Sequence, residues 1–164
     1  MSSPIRRRRD GRYVIRLDPS ARTVLADLAR QLPAAITARD PMVTRLFPPA
    51  YPGTELAGAE QDYRELVDSA LENHHIRAVE VLVATSGADT LSESEFHAWL
   101  DAVGSLRLVL GTRLDVHEDM EDPDPDDPRA PEYGLFVFLG ELQHLMVEVL
   151  AEALPEEGRP EGPL

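Results

Sequence analysis

Two Glu-x-x-His pairs, Glu72–His75 and Glu141–His144, carry the spacing in this sequence that most suggests chemistry. On two long helices such pairs supply half of the ligands of a ferritin-like di-iron centre. The other half is an inward glutamate from each of two further helices. Those glutamates are missing. The first helical segment has no Glu, and the segment around Trp99 has only Glu93 and Glu95 at its start. Phase argues the same way. At about 100° per residue, Glu141 and His144 fall about 100° and about 160° from the centre of their apolar stripe, and Glu72 lies on a polar side. Neither a metal site nor a cofactor is expected.

His74 falls on the apolar stripe of its helix. It is therefore expected as a hydrogen-bonded core residue, with an interface or a pH-responsive contact as the alternative. His75 points to a different face, which argues against the two histidines sharing a metal. No nucleophile motif is present: there is no Cys, no Gly-x-Ser-x-Gly and no glycine-rich phosphate loop. Leu110-Gly111-Thr112 lies inside a helical pattern and lacks the preceding strand that a phosphate loop needs. The expected role is non-enzymatic.

Arginine carries what remains. Helical phase places Arg107 between Val103, Leu110 and Gly111, on the side expected to be buried. A buried guanidinium must be paired. Arg107 is thus held either by an internal acid or carbonyl, or by a partner's acid or carbonyl docking in a cleft. Gly111, one turn later, permits close approach of another backbone. Arg113 on the same segment joins it as a candidate binding residue. Arg6, Arg7, Arg8 and Arg9 form a basic patch able to contact phosphates or an acidic protein surface. With no aromatic residue among them, they offer no base-specific readout.

The elements that must position these residues follow from length and patterning. The 164 residues suit one domain that buries its own core, and with few aromatics that core is aliphatic. The absence of Cys excludes disulfides, thiolate metal sites and thiol redox chemistry within the chain. No signal peptide and no apolar run of membrane-spanning length is expected, so the default compartment is the cytoplasm. The net charge of −14 is divided. Residues 1–45 hold ten Arg against four Asp, a balance of +6, and residues 46–164 hold six Arg against 26 acids, a balance of −20. A basic arm on an acidic body favours basic protein partners through steering, although excess acid also simply keeps a protein dispersed.

Residues 1–10 are expected as a disordered basic tail, ending at the Asp10-Gly11 turn signal. Arg12 to Leu17 alternates as one strand, whose natural partner across that turn is Ser3–Arg8 in a small hairpin. Asp18-Pro19 starts a helix that Pro33 should kink or shorten. Asp40-Pro41 starts a short helix to Phe47, and Phe47, Pro48 and Tyr51 shape an ordered turn after it. A long helix runs from about Leu56 to Thr85, with Tyr63, Val67, Ala70, Leu71, His74, Ala78, Val81 and Leu82 as its stripe. The next begins at Thr90 or Ser92 with a capping box and runs to about Leu114; apolar nearly all round, it should be central. Residues 117–130 form an acidic, Pro-rich linker, Pro131 to Leu154 a last helix, and 155–164 a frayed tail. The fold class is mostly α: a bundle of four to five helices with a small N-terminal β-hairpin or strand, residues 11–154 forming one domain.

Phe47-Pro48-Pro49-Ala50-Tyr51, then Tyr63-Arg64-Glu65-Leu66, then Leu106-Arg107-Leu108-Val109-Leu110-Gly111-Thr112-Arg113-Leu114 carry a resemblance to a known family. Together with Asp10-Gly11-Arg12-Tyr13 and Arg16-Leu17, they resemble an actinobacterial family long catalogued as a domain of unknown function, over roughly residues 5 to 153. That family includes the mycobacterial oxidative-stress transcriptional regulator AosR. The resemblance implies a redox-responsive protein that associates with an extracytoplasmic-function sigma factor and raises transcription of sulfur-assimilation and cysteine-synthesis genes. The family's sensor is a Cys-x-x-x-Cys pair, and this chain has no Cys, so sensing by an internal disulfide is excluded. Family genes also tend to lie near a proteolytic adaptor gene, which implies an alternative role as adaptor or scaffold in regulated proteolysis. The expectation is a transcription-associated regulator that binds a sigma factor or RNA polymerase, contacts DNA through the Arg6–Arg9 tail, and does not engage a membrane. Self-association is left open.

Overall fold

A computed structural model of the chain describes residues 3–47 and 58–154, without the side chains of residues 59 and 60. It begins with a hairpin of β1 (Ile5–Arg7) and β2 (Tyr13–Ile15), paired antiparallel with Ile5 opposite Ile15 and Arg7 opposite Tyr13. Gly11 turns the chain at φ +85°, a conformation in which a Cβ would be strained. The basic segment is therefore not a free tail. Ile5 is 1% exposed, and that apolar anchor, together with the ladder, ties the strand to the body. A two-residue third strand, β3 (Thr90–Leu91), adds to the far side of β2 in the order β1-β2-β3.

α1 (Pro19–Thr37) starts where Asp18 accepts the Ser20 backbone N–H at 2.8 Å. The Ser20 hydroxyl, which donates to the same carboxyl at 2.5 Å, and then that backbone N–H hold the Asp18 carboxyl below the usual carboxylate range. Contrary to expectation, Pro33 does not shorten the helix. Leu32 and Ile36 are buried on either side of it, so the last turn is fixed by packing while proline removes a single N–H. Arg39 (φ 52°) then closes the helix, as the Asp40 N–H reaches the Ala35 carbonyl at 3.1 Å. Pro41–Leu46 is a 3-10 helix.

α2 (Ala59–Thr85) and α3 (Glu93–Arg113) pack antiparallel, and α4 (Ala130–Ala153) covers α3 from the other side. Ser92 and Glu95 form the expected capping box at the start of α3. α3 also touches α1 and the 3-10 helix and is the central element, as its apolar circumference predicted. Its Trp99 is fully buried, with its indole N–H donating to the Thr85 hydroxyl at 2.7 Å. Phe96 stacks on Tyr13 of β2 with ring centroids 4.0 Å apart, joining the hairpin to the helical core. Residues 117–129 form turns without helix or strand, pinned where the Tyr133 hydroxyl donates to Asp122 at 2.9 Å. The fold is mostly helical with a small N-terminal antiparallel hairpin.

Candidate functional site

Arg107 is not buried; it lies on the exposed seam between α3 and α4. The reason is phase. α3 is apolar nearly all round, so its true inward side, through Ala102, Val103, Leu106 and Leu110, sits beside Arg107 rather than over it. Its guanidinium lies over the ring of Phe136, 5.1 Å from the centroid, within the range of a cation–π contact. One Nη reaches the Gln143 side-chain oxygen at 3.4 Å, a long hydrogen bond. Among the described residues no carboxylate forms an ion pair with it.

The seam is built from glycine. A Cβ on Gly140 would stand 3.1 Å from Arg107 Nε, and one on Gly111 would stand 3.2 Å from Phe136. Gly111 is thus a contact point as expected, although what approaches it is an aromatic side chain of α4 rather than a backbone. The Arg45 guanidinium of the 3-10 helix closes the same spot, 3.7 Å from that hypothetical Cβ. Two turns of α4 below, Arg113 pairs with Glu132 at 3.0 Å. Arg107, Arg113 and Gly111 are therefore brought onto one seam, with Arg45 and Phe136 as members that the sequence did not single out.

α4 supplies the apolar part of this surface. Leu139, Leu142, Met146 and Val149 face the core. Phe136, Gly140, Gln143 and Val147, at i, i+4, i+7 and i+11, share the flank beside Arg107. Val137 and Val147 are 41% and 48% exposed. α4 also corrects the expectation that no apolar run approaches membrane-spanning length: it is long and apolar enough to cross a bilayer by length and composition. In this fold only 22% of its most apolar stretch is buried, and its inner stripe packs against α3 and β1.

His74 does not take the core position expected of it. His74 is exposed and sits 3.2 Å from Asp101, whereas His75 turns inward. Ala78 and Leu82 of the expected stripe are buried, with Val79 beside them, but its N-terminal part is not: Tyr63 is 56% exposed, and His75 rather than His74 turns inward. His75 Nε2 lies 3.3 Å from the Leu46 carbonyl, which can only accept, so Nε2 carries the proton. Nδ1 then accepts from the buried Ser105 hydroxyl at 3.0 Å. Burial pushes the His75 pKa below its ordinary value, more than the Leu46 hydrogen bond raises it. Glu141 and His144 face solvent, His144 pairing with Glu148 one turn on at 3.1 Å, and Glu72 meets Arg39 at 3.4 Å. Among the described residues no group of three His, Asp or Glu side chains is arranged to hold a metal ion.

Arg6, Arg7, Arg8 and Arg9 are all exposed on the hairpin, beside the C-terminal end of α4. Phe47 packs edge-on against His75 with ring centroids 5.9 Å apart, and Arg39 lies 4.2 Å over its ring. Pro48 and Tyr51 lie outside the described residues, as does the tail from residue 155. The buried arginine that phase assigned to position 107 exists elsewhere. Arg22 of α1 is 12% exposed and donates to the carbonyls of Ser86, Ala88 and Ile15 at 2.7–2.8 Å, and to Asp89 at 3.0 Å. It ties the end of α2 to β2. No local signal marks it, because its acceptors on the α2–β3 turn lie more than sixty residues away.

No curated protein and no solved structure matches the chain. Residues 2–150 match a family model described as a domain of unknown function, DUF2017, and with nearly the whole chain covered, the protein belongs to that family.

Proposed function

We propose that this chain is a non-enzymatic, transcription-associated regulator that binds a sigma factor or RNA polymerase through the α3–α4 seam. The observation that carries the binding part is α4: an apolar helix with 22% of its most apolar stretch fully buried and Val137 and Val147 exposed, flanked by an arginine laid on an aromatic ring. Scattered exposed valines need no explanation. A flank of Phe136, Gly140 and Val147 with Arg107 and Arg45 beside it has the composition of an interface, an apolar centre with aromatic and arginine anchors. Covering a half-exposed side chain such as Val147 is worth roughly 1 kcal/mol. The choice of partner rests on the resemblance of the Leu106–Leu114 segment to the family that includes AosR. Because the chain has no Cys, the regulator works here without thiol sensing.

Affinity capture of the tagged, full-length protein from its native host at moderate salt tests this. Recovery of a sigma factor or polymerase subunits is the expected result. Recovery of protease subunits instead would move the assignment to an adaptor in regulated proteolysis, and recovery of neither would overturn it.

A further inference from the structure

The basic segment is a strand, and strand geometry sorts its side chains. Ile5 faces the core, so Arg6 and Arg8 face outward. Arg6 is the register partner of Val14, which places Val14 on the same outer side, and Arg16, just past β2 with its N–H on the Pro4 carbonyl, continues that alternation. These four residues, with Leu17, Asp89 and Thr90, line one shallow basin of about 510 Å³ on the outer face of the three-stranded sheet. Arg12 continues the alternation at the hairpin end and is exposed. Glu148 and Glu152 of α4 line the adjoining groove with Arg6 and Arg8, and two further carboxylates approach this face. Asp10 pairs with Arg8 at 3.1 Å, and Asp89 is already engaged by Arg22. Arg6 and Arg16 have no ion pair among the described residues.

The cation density is confined. The chain carries −14 overall, yet this face presents three to four guanidinium groups on a rigid, hydrogen-bonded platform. All are Arg, whose planar fork grips a phosphate with two parallel hydrogen bonds. The face also offers little of what a protein partner would need. Val14 is 8% exposed and the basin holds no aromatic residue, so partly exposed Leu17 is the one apolar side chain among its lining that a partner could bury. A phosphodiester backbone needs no apolar anchor, because binding there is driven by cation–phosphate contacts and counterion release. The geometry points to a docking site for the phosphate backbone of a nucleic-acid duplex on the outer sheet face, formed by Arg6, Arg8 and Arg16. The site binds without sequence readout. It is separate from the α3–α4 seam and does not depend on the protein-binding proposal.

The test is fluorescence anisotropy of a labelled DNA duplex of mixed sequence, about one and a half helical turns long, titrated with the full-length protein. Binding is expected at 50 mM salt, insensitive to sequence. Its logarithm should fall with the logarithm of salt at a slope of about −2.7, or roughly 40-fold weaker at 200 mM, as three phosphate contacts require. The triple variant Arg6→Ala, Arg8→Ala, Arg16→Ala should bind at least about tenfold more weakly. A control variant of equal charge change, Arg30→Ala, Arg77→Ala, Arg129→Ala, should bind as the wild type does. Circular dichroism of both variants establishes that they fold. Absence of saturable binding at 50 mM salt would overturn the proposal, as would equal losses in the two triple variants. Binding of poly-glutamate as tight as that of the duplex would overturn it in favour of an acidic protein segment.

Discussion

Arg107 rests on Phe136 because Gly140 leaves room for it: the guanidinium carbon lies 5.1 Å from the ring centroid, and a Cβ at position 140 would come within 3.1 Å of its Nε. A cation, a ring and a missing side chain on two different helices therefore determine one surface feature. The arginine is aimed by packing and not by an acid, which leaves its donors available to a partner.

Gly140→Ala should dissociate placement from stability. Removing a glycine from a helix interior gains about 1 kcal/mol, which offsets the crowding of an exposed, flexible side chain. Thermal unfolding is expected to move by no more than a few degrees in either direction. The Arg107 Nε–H resonance, shifted by the Phe136 ring in the wild type, should move toward the position of a solvated arginine. An unmoved resonance would show that the glycine does not set the geometry.

Arg22→Ala should be among the most destabilising single changes in the chain. It leaves the carbonyls of Ile15, Ser86 and Ala88 without their shared donor at a partly buried junction. A loss of about 2–4 kcal/mol in chemical denaturation is expected, with only partial rescue by Arg22→Lys, because a point charge cannot span three carbonyls. Asp89→Ala should move stability by less than about 1 kcal/mol, since that carboxylate is exposed and its ion pair is screened. Equal effects of the two changes would show that the ion pair, and not the carbonyl cluster, holds the junction.

His75 gives stability a pH dependence whose sign is fixed by its depressed folded-state pKa. Between the folded and the unfolded pKa values the unfolded chain binds the extra proton, so stability is full above about pH 6.5 and declines as pH falls below it. His75→Gln keeps a hydrogen-bonding amide near Ser105 and removes the titration. Its denaturation midpoint should vary less between pH 7.5 and 5.5 than that of the wild type, a range above the carboxylate titrations. An identical pH profile in the two proteins would remove His75 from this role.

Local chemistry was legible in the sequence and long-range placement was not. Asp18-Pro19, Asp10-Gly11 and the Ser92/Glu95 box act between residues two or three apart, so their signals survive without tertiary context. The phase of α2 held at Ala78 and Leu82 but failed toward its start, where Tyr63 is apolar and exposed, and counting it inward drew the stripe onto His74 instead of His75. Arg107 failed for the complementary reason. With Leu108 44% exposed, the hydrophobicity of α3 does not mark one inner face, and its burial is decided by where α2 and α4 pack. β3 is two residues long and owes its pairing to β2, while Arg22 is recognisable only once the α2–β3 turn is folded beside it. The seam itself needed Gly111, Gly140 and Phe136 to meet across two helices.

The central claim, that the α3–α4 seam binds transcription machinery, is tested most directly by quantitative capture with a surface variant. Val137→Glu, Val147→Glu places two charges on exposed positions of α4, where folding should be little disturbed and an apolar interface strongly so. Captured from the native host beside the wild type, the variant should recover sigma-factor or polymerase peptides at least about tenfold less well, at unchanged circular dichroism. Undiminished recovery by the variant, or no transcription component with the wild type, would contradict the account.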